Sequence, residues 1–86
     1  NWGREVGPSV SVRGMTLDEA LPKVDQYLDD AYLARLGQVV IIHGKGTGVL
    51  REQVGALLKR DPRVKSQRLG EWNEGGNGVT IVEMAI

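Results

Sequence analysis

The sequence predicts a two-layer α/β sandwich, in which a four-stranded mixed sheet carries two helices on one of its faces. Strand-like apolar segments alternate with segments of helical spacing, in the order βαβαββ. The third strand segment is polar and suits a sheet edge, whereas the fourth is rich in Val and Ile and suits the interior. With right-handed crossovers, these features predict the spatial strand order 1-2-4-3, in which only the fourth strand is antiparallel.

The N-terminal part of the sequence predicts one strand and one helix. Val10-Ser11-Val12 alternates apolar and polar side chains, as a strand does, and Arg13-Gly14 follows it as a turn. Thr16-Leu17-Asp18-Glu19 has the pattern of a capping box and marks the start of the helix. Apolar residues then recur at helical spacing as far as Leu36, so Gly37 is the expected residue that ends the helix.

The rest of the sequence predicts three more strands and one more helix. Val39-Val40-Ile41-Ile42 predicts a buried strand, because β-branched apolar residues in an unbroken run suit a covered strand. Val49 to Arg60 predicts the second helix, and Val64 to Leu69 predicts the polar third strand. A glycine-rich loop separates the third strand from the fourth, which is predicted from Val79 to Met84.

One domain and a short tail account for the whole chain. Residues 1–8 are polar and predict a linker or N-terminal tail, and residues 9–86 predict the single domain. The predicted sheet has one face without a helix, and we expect the tail with Trp2, another part of a longer protein or a partner to cover it. Because the chain begins at Asn1 rather than Met, we expect it to be a piece of such a longer protein.

Composition excludes several classes of site and partner. The 86 residues contain no cysteine, which excludes disulfides and thiolate metal sites and indicates a cytoplasmic location. No apolar run approaches the roughly 18 residues of a membrane span, and no signal peptide is visible, so no membrane partner is expected. Only four aromatic rings are present, too few for a base-stacking platform.

The net charge is zero, yet charge is unevenly distributed along the chain. Residues 43–68 contain seven basic and two acidic residues, whereas residues 16–36 contain five acidic and two basic ones. If the fold gathers the basic segment on one face, that face attracts phosphate groups even though the whole domain is neutral. The alternative is that these charges are simply solvated.

The segment His43-Gly44-Lys45-Gly46-Thr47-Gly48 is the main candidate for a ligand site. Its alternating glycines allow positive φ angles and close approach of a ligand to the backbone, although the spacing matches neither the dinucleotide-binding nor the Walker A pattern. The following helix N-terminus favours an anion, Lys45 adds positive charge, and the His43 imidazole can exchange protons near neutral pH. Arg13 lies at the carboxyl end of the first strand, where parallel sheets place ligands. Together these features predict a phosphate site with proton-transfer capacity; a tight turn with solvated side chains is the alternative.

Three segments together resemble the Smr (small MutS-related) domain family. They are His43-Gly44-Lys45-Gly46-Thr47-Gly48-x-Leu50-Arg51, the strand end Arg13-Gly14, and Gly75-Gly76-Asn77-Gly78-Val79-Thr80. The resemblance runs from about Val10 to the C-terminus and implies a fold similar to the C-terminal domain of bacterial translation initiation factor three. It also implies a nucleic-acid endonuclease, of the kind found at the C-terminus of the second bacterial MutS-type ATPase, which is linked to suppression of recombination.

The resemblance implies partners as well as an activity. DNA, including branched DNA, is the expected substrate of a nicking phosphodiester hydrolase, and MutS-type ATPase domains of the same chain are expected partners. Related domains act on RNA, including messenger RNA on stalled ribosomes, so RNA or the ribosome is the alternative target. A non-catalytic module that docks the parent ATPase onto branched DNA or the ribosome is the second hypothesis.

The family's first motif usually reads Leu-Asp-Leu-Arg/His-Gly, and this chain departs from it. Here the segment is Val10-Ser11-Val12-Arg13-Gly14, so Ser11 replaces the aspartate. The replacement removes a candidate metal ligand or general base, which favours the non-catalytic hypothesis. No metal site is predicted; if a cofactor is needed, Mg²⁺ or Mn²⁺ is the candidate.

Five residues are the candidates for catalysis if the domain hydrolyses phosphodiester bonds. His43 is expected to act as general acid or base, and Lys45 and Arg13, with backbone N–H groups of the glycine turn, to stabilise developing negative charge. Glu71 or Glu74 is the candidate carboxylate for a base or metal ligand. The residues expected to contact nucleic-acid phosphates are Gly44, Gly46, Thr47, Gly48, Arg51, Arg63, Lys65, Arg68, Gly75, Gly76 and Gly78.

Overall fold

A computed structural model describes residues 5–86 and shows two helices packed against one face of a four-stranded sheet. The elements, in chain order, are β1 Ser9–Ser11, α1 Leu17–Leu33, β2 Gln38–Ile42, α2 Val49–Arg60, β3 Val64–Leu69 and β4 Val79–Met84. Two short 3₁₀ turns, Trp72–Glu74 and Gly76–Gly78, lie between β3 and β4. Within the described residues, neither helix has the length and apolar character that a membrane span requires.

The strand order is β1-β2-β4-β3, as the sequence predicts. β1 pairs with β2 in parallel, and β4 is antiparallel to both β2 and β3. Val39 and Ile41 of β2 are fully buried on the helix-bearing face, whereas Val40 and Ile42 are partly exposed on the opposite face. The predicted fold is therefore confirmed, including strand order and direction.

The core lies between the helix-bearing face of the sheet and the two helices. α1 begins with the predicted capping box, in which Glu19 N–H donates to Thr16 Oγ1 (3.3 Å) and Thr16 N–H donates to Glu19 Oε1 (3.0 Å). The buried apolar side chains of this core are Val12, Ala20, Val24, Tyr27, Leu28, Ala31, Val39, Ile41, Val54, Leu58, Val82 and Met84. Their packing fixes β2 and α2, and with them the glycine turn that connects the two.

α1 ends earlier than the sequence predicts. The helix stops at Leu33, and Arg35 rather than Gly37 takes the left-handed conformation after it, with φ 60°. Leu36 N–H then donates to the carbonyl oxygen of Ala31 (3.0 Å), as in a Schellman motif. The prediction that Gly37 ends the helix is wrong, because this earlier ending turns Leu36 onto the core and leaves Gly37 to lead into β2.

The sheet face without helices is partly covered by the chain's own loop between β3 and β4. Val79 lies on this face, paired with Ile42, and is only 7% exposed. A Cβ atom at Gly70 or Gly75 would lie 2.6 or 2.9 Å from a methyl group of Val79, so only glycine allows the loop to pack this closely. Trp2, which the sequence suggested as a cover for this face, lies outside the described residues.

The same loop is held by an ion pair that is sensitive to pH. Arg68 donates to both carboxylate oxygens of Glu74 (2.8 and 3.1 Å), and Glu71 N–H donates to Glu74 Oε1 (2.8 Å). The Arg68 guanidinium, and after it the bond from Glu71, lower the pKa of Glu74 to about 2. Because this pKa lies below the ordinary value of 4.5, the carboxylate stabilises the fold above that value and the contribution is lost as the pH falls towards 2.

We expect Glu74→Gln to remove part of the acid sensitivity of folding. The urea midpoint of the wild type should fall between about pH 5 and pH 2, and the variant should fall less over the same range. At neutral pH the variant should be the less stable protein, and the two midpoints should converge near pH 2. Urea titrations followed by circular dichroism at several pH values measure this. Parallel curves for the two proteins would show that Glu74 is not held as described.

Candidate nucleic-acid interface

The glycine turn between β2 and α2 is anchored directly to the second glycine-rich loop. His43 N–H and Gly44 N–H both donate to the carbonyl oxygen of Gly78, at 3.1 and 2.9 Å. Gly44 and Gly46 have φ angles of 78° and 36°, which residues with a Cβ atom adopt only with strain. Two segments that are far apart in the sequence therefore form one surface at the carboxyl end of β2.

Lys45 lies across this surface. A Cβ atom at Gly78 would be 3.3 Å from Lys45 Cγ, and one at Gly76 would be 3.9 Å from Lys45 Nζ. The side chain of Lys45 therefore follows the backbone of the second loop and brings its ammonium group to Gly76. The first glycine segment makes the turn, and the second leaves room for the lysine.

Arg51 lies at the N-terminus of α2. Gly48 is the N-cap of this helix, with φ 91°, and a Cβ atom there would be only 2.6 Å from Arg51 Nη2. The guanidinium therefore rests against the backbone of Gly48, at a helix start that no side chain caps. Its charge and the positive end of the helix dipole act at the same place, which favours an anion there.

Gly48→Ala should disturb both the backbone and Arg51. We expect a loss of about 1–2 kcal/mol in unfolding free energy from the left-handed conformation, and a several-fold loss of affinity for a DNA oligonucleotide as the guanidinium is displaced. Gly46→Ala is the matched control, since Gly46 also has a positive φ but a Cβ atom there would meet nothing within 4 Å. Urea unfolding and oligonucleotide titration measure the two effects. Equal losses of affinity in both variants would contradict the importance of the Arg51 contact.

Arg13 completes a group of three cations around the turn. A Cβ atom at Gly44 would be 3.5 Å from Arg13 Cγ and 3.7 Å from Arg13 Nε, so the arginine lies against the turn. Arg13, Lys45 and Arg51 are called the cationic cradle below. Within residues 5–86, none of the three forms an ion pair with a carboxylate. Their combined charge is therefore available to attract a polyanion.

The cradle borders two cavities, one on each side of the glycine turn. The first, of about 460 Å³, is lined by residues 13–17 after β1 and by residues 43–51. The second, of about 470 Å³, lies towards the helix-free face and includes Ile42 and Val79 in its wall. Arg13 and Lys45 line both cavities. A strand that passes over the turn therefore meets the same two cations on either side.

His43 is buried, with 4% of its surface exposed, and both ring nitrogens are bonded within the domain. Nδ1 lies 3.0 Å from the carbonyl oxygen of Gly44, and Nε2 lies 2.8 Å from Thr80 Oγ1. Because a carbonyl oxygen can only accept, Nδ1 carries the proton in the neutral ring, and Nε2 then accepts from the Thr80 hydroxyl. His43 thus ties the glycine turn to β4. Its proton-transfer role stays a prediction, and that role requires one of the two bonds to open.

Thr80 belongs to this site although it is not among the residues predicted from the sequence. It is 2% exposed and faces the helices at the middle of the sheet, where it holds the histidine of the turn. A signal was present, because Thr80 is a hydroxyl residue in the same alternating set of β4 positions as the apolar Val82 and Met84. A buried hydroxyl needs a hydrogen-bond partner, and the single histidine of the chain was available to supply one.

The two loop carboxylates are already engaged in the folded domain. Glu74 is paired with Arg68 and its pKa is about 2, so it is a poor proton acceptor near neutral pH. Glu71 lies at the start of the same short turn, where its carboxylate accepts from the backbone N–H of Glu74 and its own backbone N–H donates to the Glu74 carboxylate. In the part of the chain that the structure describes, no group of three or more His, Asp or Glu side chains could hold a metal ion. Mg²⁺ or Mn²⁺ would have to displace Arg68 from Glu74, so these residues do not fit a preformed metal site.

The structure does not bring Arg63 and Lys65 to the cradle, and it pairs Arg68 with an acid. Arg63 and Lys65 lie at the start of β3, which the sheet register places at the end opposite the glycine turn. Arg63, Lys65 and Arg68 form ion pairs with N–O distances of 2.6, 3.8 and 2.8 Å, respectively. The positive charges of Arg63, Lys65 and Arg68 are therefore paired with nearby carboxylates, whereas those of the cationic cradle are not, within residues 5–86.

Comparison with known proteins identifies the family. Residues 10–85 match the Smr domain. The chain belongs to the Smr domain family. Endonuclease MutS2 of Caldanaerobacter subterraneus is 59% identical to it over 81 residues, and Endonuclease MutS2 of Clostridium beijerinckii is 60% identical over 75 residues. These alignments cover 94% and 87% of this Smr domain but 10% of each relative, so the chain spans about a tenth of the length of the curated relatives it matches.

Solved structures show the same fold. The Smr domain of Thermus thermophilus MutS2 matches with a TM-score of 0.90 at 42% identity, over 93% of this chain and 100% of that one. YdaL, a stand-alone small MutS-related protein from Escherichia coli, matches with a TM-score of 0.85 over 90% of this chain and 63% of that one. At 24% identity, the likeness to YdaL shows the fold alone.

Proposed function

We propose that this Smr domain binds the backbone of a nucleic acid in the cationic cradle and nicks its phosphodiester bonds. The observation that carries the proposal is the meeting of Arg13, Lys45 and Arg51 at one glycine turn, without a neutralising carboxylate among the described residues. The curated relatives are named Endonuclease MutS2, which supports strand cleavage as the activity.

In this proposal the cradle stabilises the charge that develops on the reacting phosphate. Attack on a phosphodiester builds negative charge on the phosphate oxygens, and fixed positive groups lower the energy of that state. Lys45 and Arg13 supply such groups from both sides of the turn, together with backbone N–H groups of residues 46–48. Arg51, at the start of α2, holds a neighbouring phosphate.

His43 is the proposed general acid or base, and its bonds set a condition on the mechanism. Nδ1 already carries a proton, so Nε2 is the atom that can accept the proton of an attacking water. Nε2 must first exchange the Thr80 hydroxyl for that water. The water oxygen then forms a bond to phosphorus as the bond to the leaving oxygen breaks; the leaving oxygen takes a proton from solvent water, and Nε2 releases the proton that it accepted to solvent.

We further propose the setting in which the domain works. The identity to MutS2 proteins supports a place within a cytoplasmic MutS-type ATPase that suppresses homologous recombination, with DNA, including branched DNA, as the substrate. RNA or the ribosome is the alternative target, because a cradle that reads backbone charge accepts either nucleic acid.

A non-catalytic binding module is the second candidate function. Three observations favour it: Ser11 stands where the family usually has an acid, the ring nitrogens of His43 are both bonded, and no metal-binding cluster lies within residues 5–86. Such a module would use the same cradle to dock its parent ATPase onto branched DNA or the ribosome.

A nicking assay with the 86-residue chain separates the two functions. We expect the chain to convert supercoiled plasmid to the open circular form, and the assay is repeated on RNA and with Mg²⁺, Mn²⁺ or EDTA. Nicking that survives EDTA would agree with the lack of a preformed metal site. Salt-sensitive binding to either nucleic acid without cleavage under any of these conditions would contradict the endonuclease proposal and support the binding module.

A further inference from the structure

Trp72 is the most exposed large apolar side chain among the described residues. It is 89% exposed, at the start of the 3₁₀ turn between β3 and β4. A tryptophan offers a large apolar ring, and keeping that ring in water forgoes the stabilisation that its burial would give. An exposed tryptophan on a well-ordered loop beside a ligand site is positioned to contact that ligand.

The turn that carries Trp72 is held on both sides. Glu74 N–H donates to the carbonyl oxygen of Glu71 (2.8 Å), and Gly76 N–H donates to the same oxygen (2.9 Å). The ion pair between Arg68 and Glu74 fastens the turn to β3. Gly70 N–H donates to the carbonyl oxygen of Val79 (3.2 Å), which closes the loop. The ring of Trp72 is thus presented from a braced backbone.

The far side of this loop touches the cationic cradle. Gly76, four residues after Trp72, lies beside the Lys45 ammonium, since a Cβ atom at Gly76 would be 3.9 Å from Nζ. Four residues span at most about 15 Å. Neighbouring phosphates along a stacked strand are about 3.4 Å apart along its axis, so the backbone of Trp72 lies within roughly four to five nucleotides of a phosphate beside Gly76 and Lys45.

We propose that Trp72 stacks on an unpaired base of the strand whose phosphate lies in the cationic cradle. The inference rests on the proposed binding function and adds a base-contacting residue to it. An unpaired base exposes its aromatic face, whereas in a duplex the faces are stacked on one another and closed to a side ring. Stacking of a single base needs only one aromatic ring, so the small number of aromatic residues in the chain is compatible with this contact. The contact gives the domain a preference for single-stranded or unpaired segments over plain duplex.

Binding to a short single-stranded oligodeoxynucleotide, compared with the same strand without bases, tests the stacking directly. Trp72→Ala should weaken binding to the base-containing strand by about 5- to 150-fold, the range typical of a lost base–aromatic stack, and Trp72→Phe should lose much less. Binding to the abasic strand should be unchanged by Trp72→Ala. In a Trp2→Phe background, the fluorescence of Trp72 should be quenched by the base-containing strand alone.

The controls keep failure of stacking apart from failure of the cradle. Leu33→Ala removes another exposed apolar side chain, 64% exposed at the end of α1, and should leave binding unchanged. If Lys45→Ala weakens binding but Trp72→Ala does not, the stacking proposal is wrong and the cradle stands. If Lys45→Ala has no effect, the cradle itself fails. A Trp72→Ala loss that is equally large on duplex or on abasic strand also overturns the proposal. The same titration with an RNA strand shows which nucleic acid Trp72 prefers. The preferred one is the strand on which Trp72→Ala loses more affinity.

Discussion

Replacing His43 by alanine should lower the single-turnover nicking rate by about 10²–10⁴-fold at saturating domain, the range typical of general acid–base assistance. His43 is the only imidazole of the chain, and imidazole is the side chain most often used for general acid–base catalysis. Affinity differences vanish at saturation, so this measurement isolates the chemical step. The binding constant should change by only a few-fold, since the cradle supplies the phosphate contacts.

The buried bonds of His43 require a control for structural damage. His43→Ala leaves the Thr80 hydroxyl and the Gly44 carbonyl without their partners, at a cost of about 1–3 kcal/mol for each group that stays buried. Thr80→Val breaks the link to β4 but keeps the imidazole. We expect it to reduce the rate by less than about tenfold. If Thr80→Val lowers the rate as much as His43→Ala, His43 positions the turn and does not transfer a proton.

Removing all three cations of the cradle should weaken binding to single-stranded DNA by about 10²–10⁴-fold at moderate salt. Hydrogen bonds to charged groups contribute about 1.5–3 kcal/mol each, and three contacts to one strand do not add fully. The variant Arg13→Ala/Lys45→Ala/Arg51→Ala carries this change, and an oligonucleotide titration measures it. Circular dichroism confirms folding, which we expect because Arg13 and Lys45 are exposed and Arg51 is partly exposed.

A matched variant corrects for the change in net charge. Lys59→Ala/Arg60→Ala/Lys65→Ala also removes three positive charges, all from exposed residues away from the cradle. Lys59 and Arg60 lie at the C-terminal end of α2, opposite to Arg51. We expect this variant to bind within a few-fold of the wild type. Comparable losses in both triple variants would mean that overall charge, and not the cradle, governs binding.

Most of the fold follows from local pattern. The capping box fixed the start of α1 because Thr16 and Glu19 bond to each other within one turn. Strand order followed from the contrast between a polar β3 and an apolar β4. The end of α1 could not be predicted from local pattern. A glycine in the left-handed conformation is the commonest helix ending, but other residues also take that conformation. Packing of Leu36 on the core selected Arg35 for that conformation, and no local pattern encodes this choice.

The site was predictable where one segment carries it and less so where distant segments meet. Lys45 and Arg51 could be predicted as site residues from the sequence, because both lie within a few residues of the glycine turn and this short spacing determines their position. Arg63 pairs with Asp61, two residues before it, and also with Asp25, 38 residues away; only the pairing with Asp25 spans too much of the chain to follow from local pattern. The bond between His43 and Thr80 spans 37 residues and was likewise beyond local pattern.

The salt dependence of binding tests the cradle most directly. Each neutralised phosphate of a single strand contributes about −0.7 to the slope of log K against log salt concentration, and each phosphate of a duplex contributes about −0.9. We expect Arg13→Ala/Lys45→Ala/Arg51→Ala to flatten this slope by about two to three units, and Lys59→Ala/Arg60→Ala/Lys65→Ala to leave it unchanged. The same slope for the wild type and the cradle variant would contradict the claim that Arg13, Lys45 and Arg51 hold the nucleic-acid backbone.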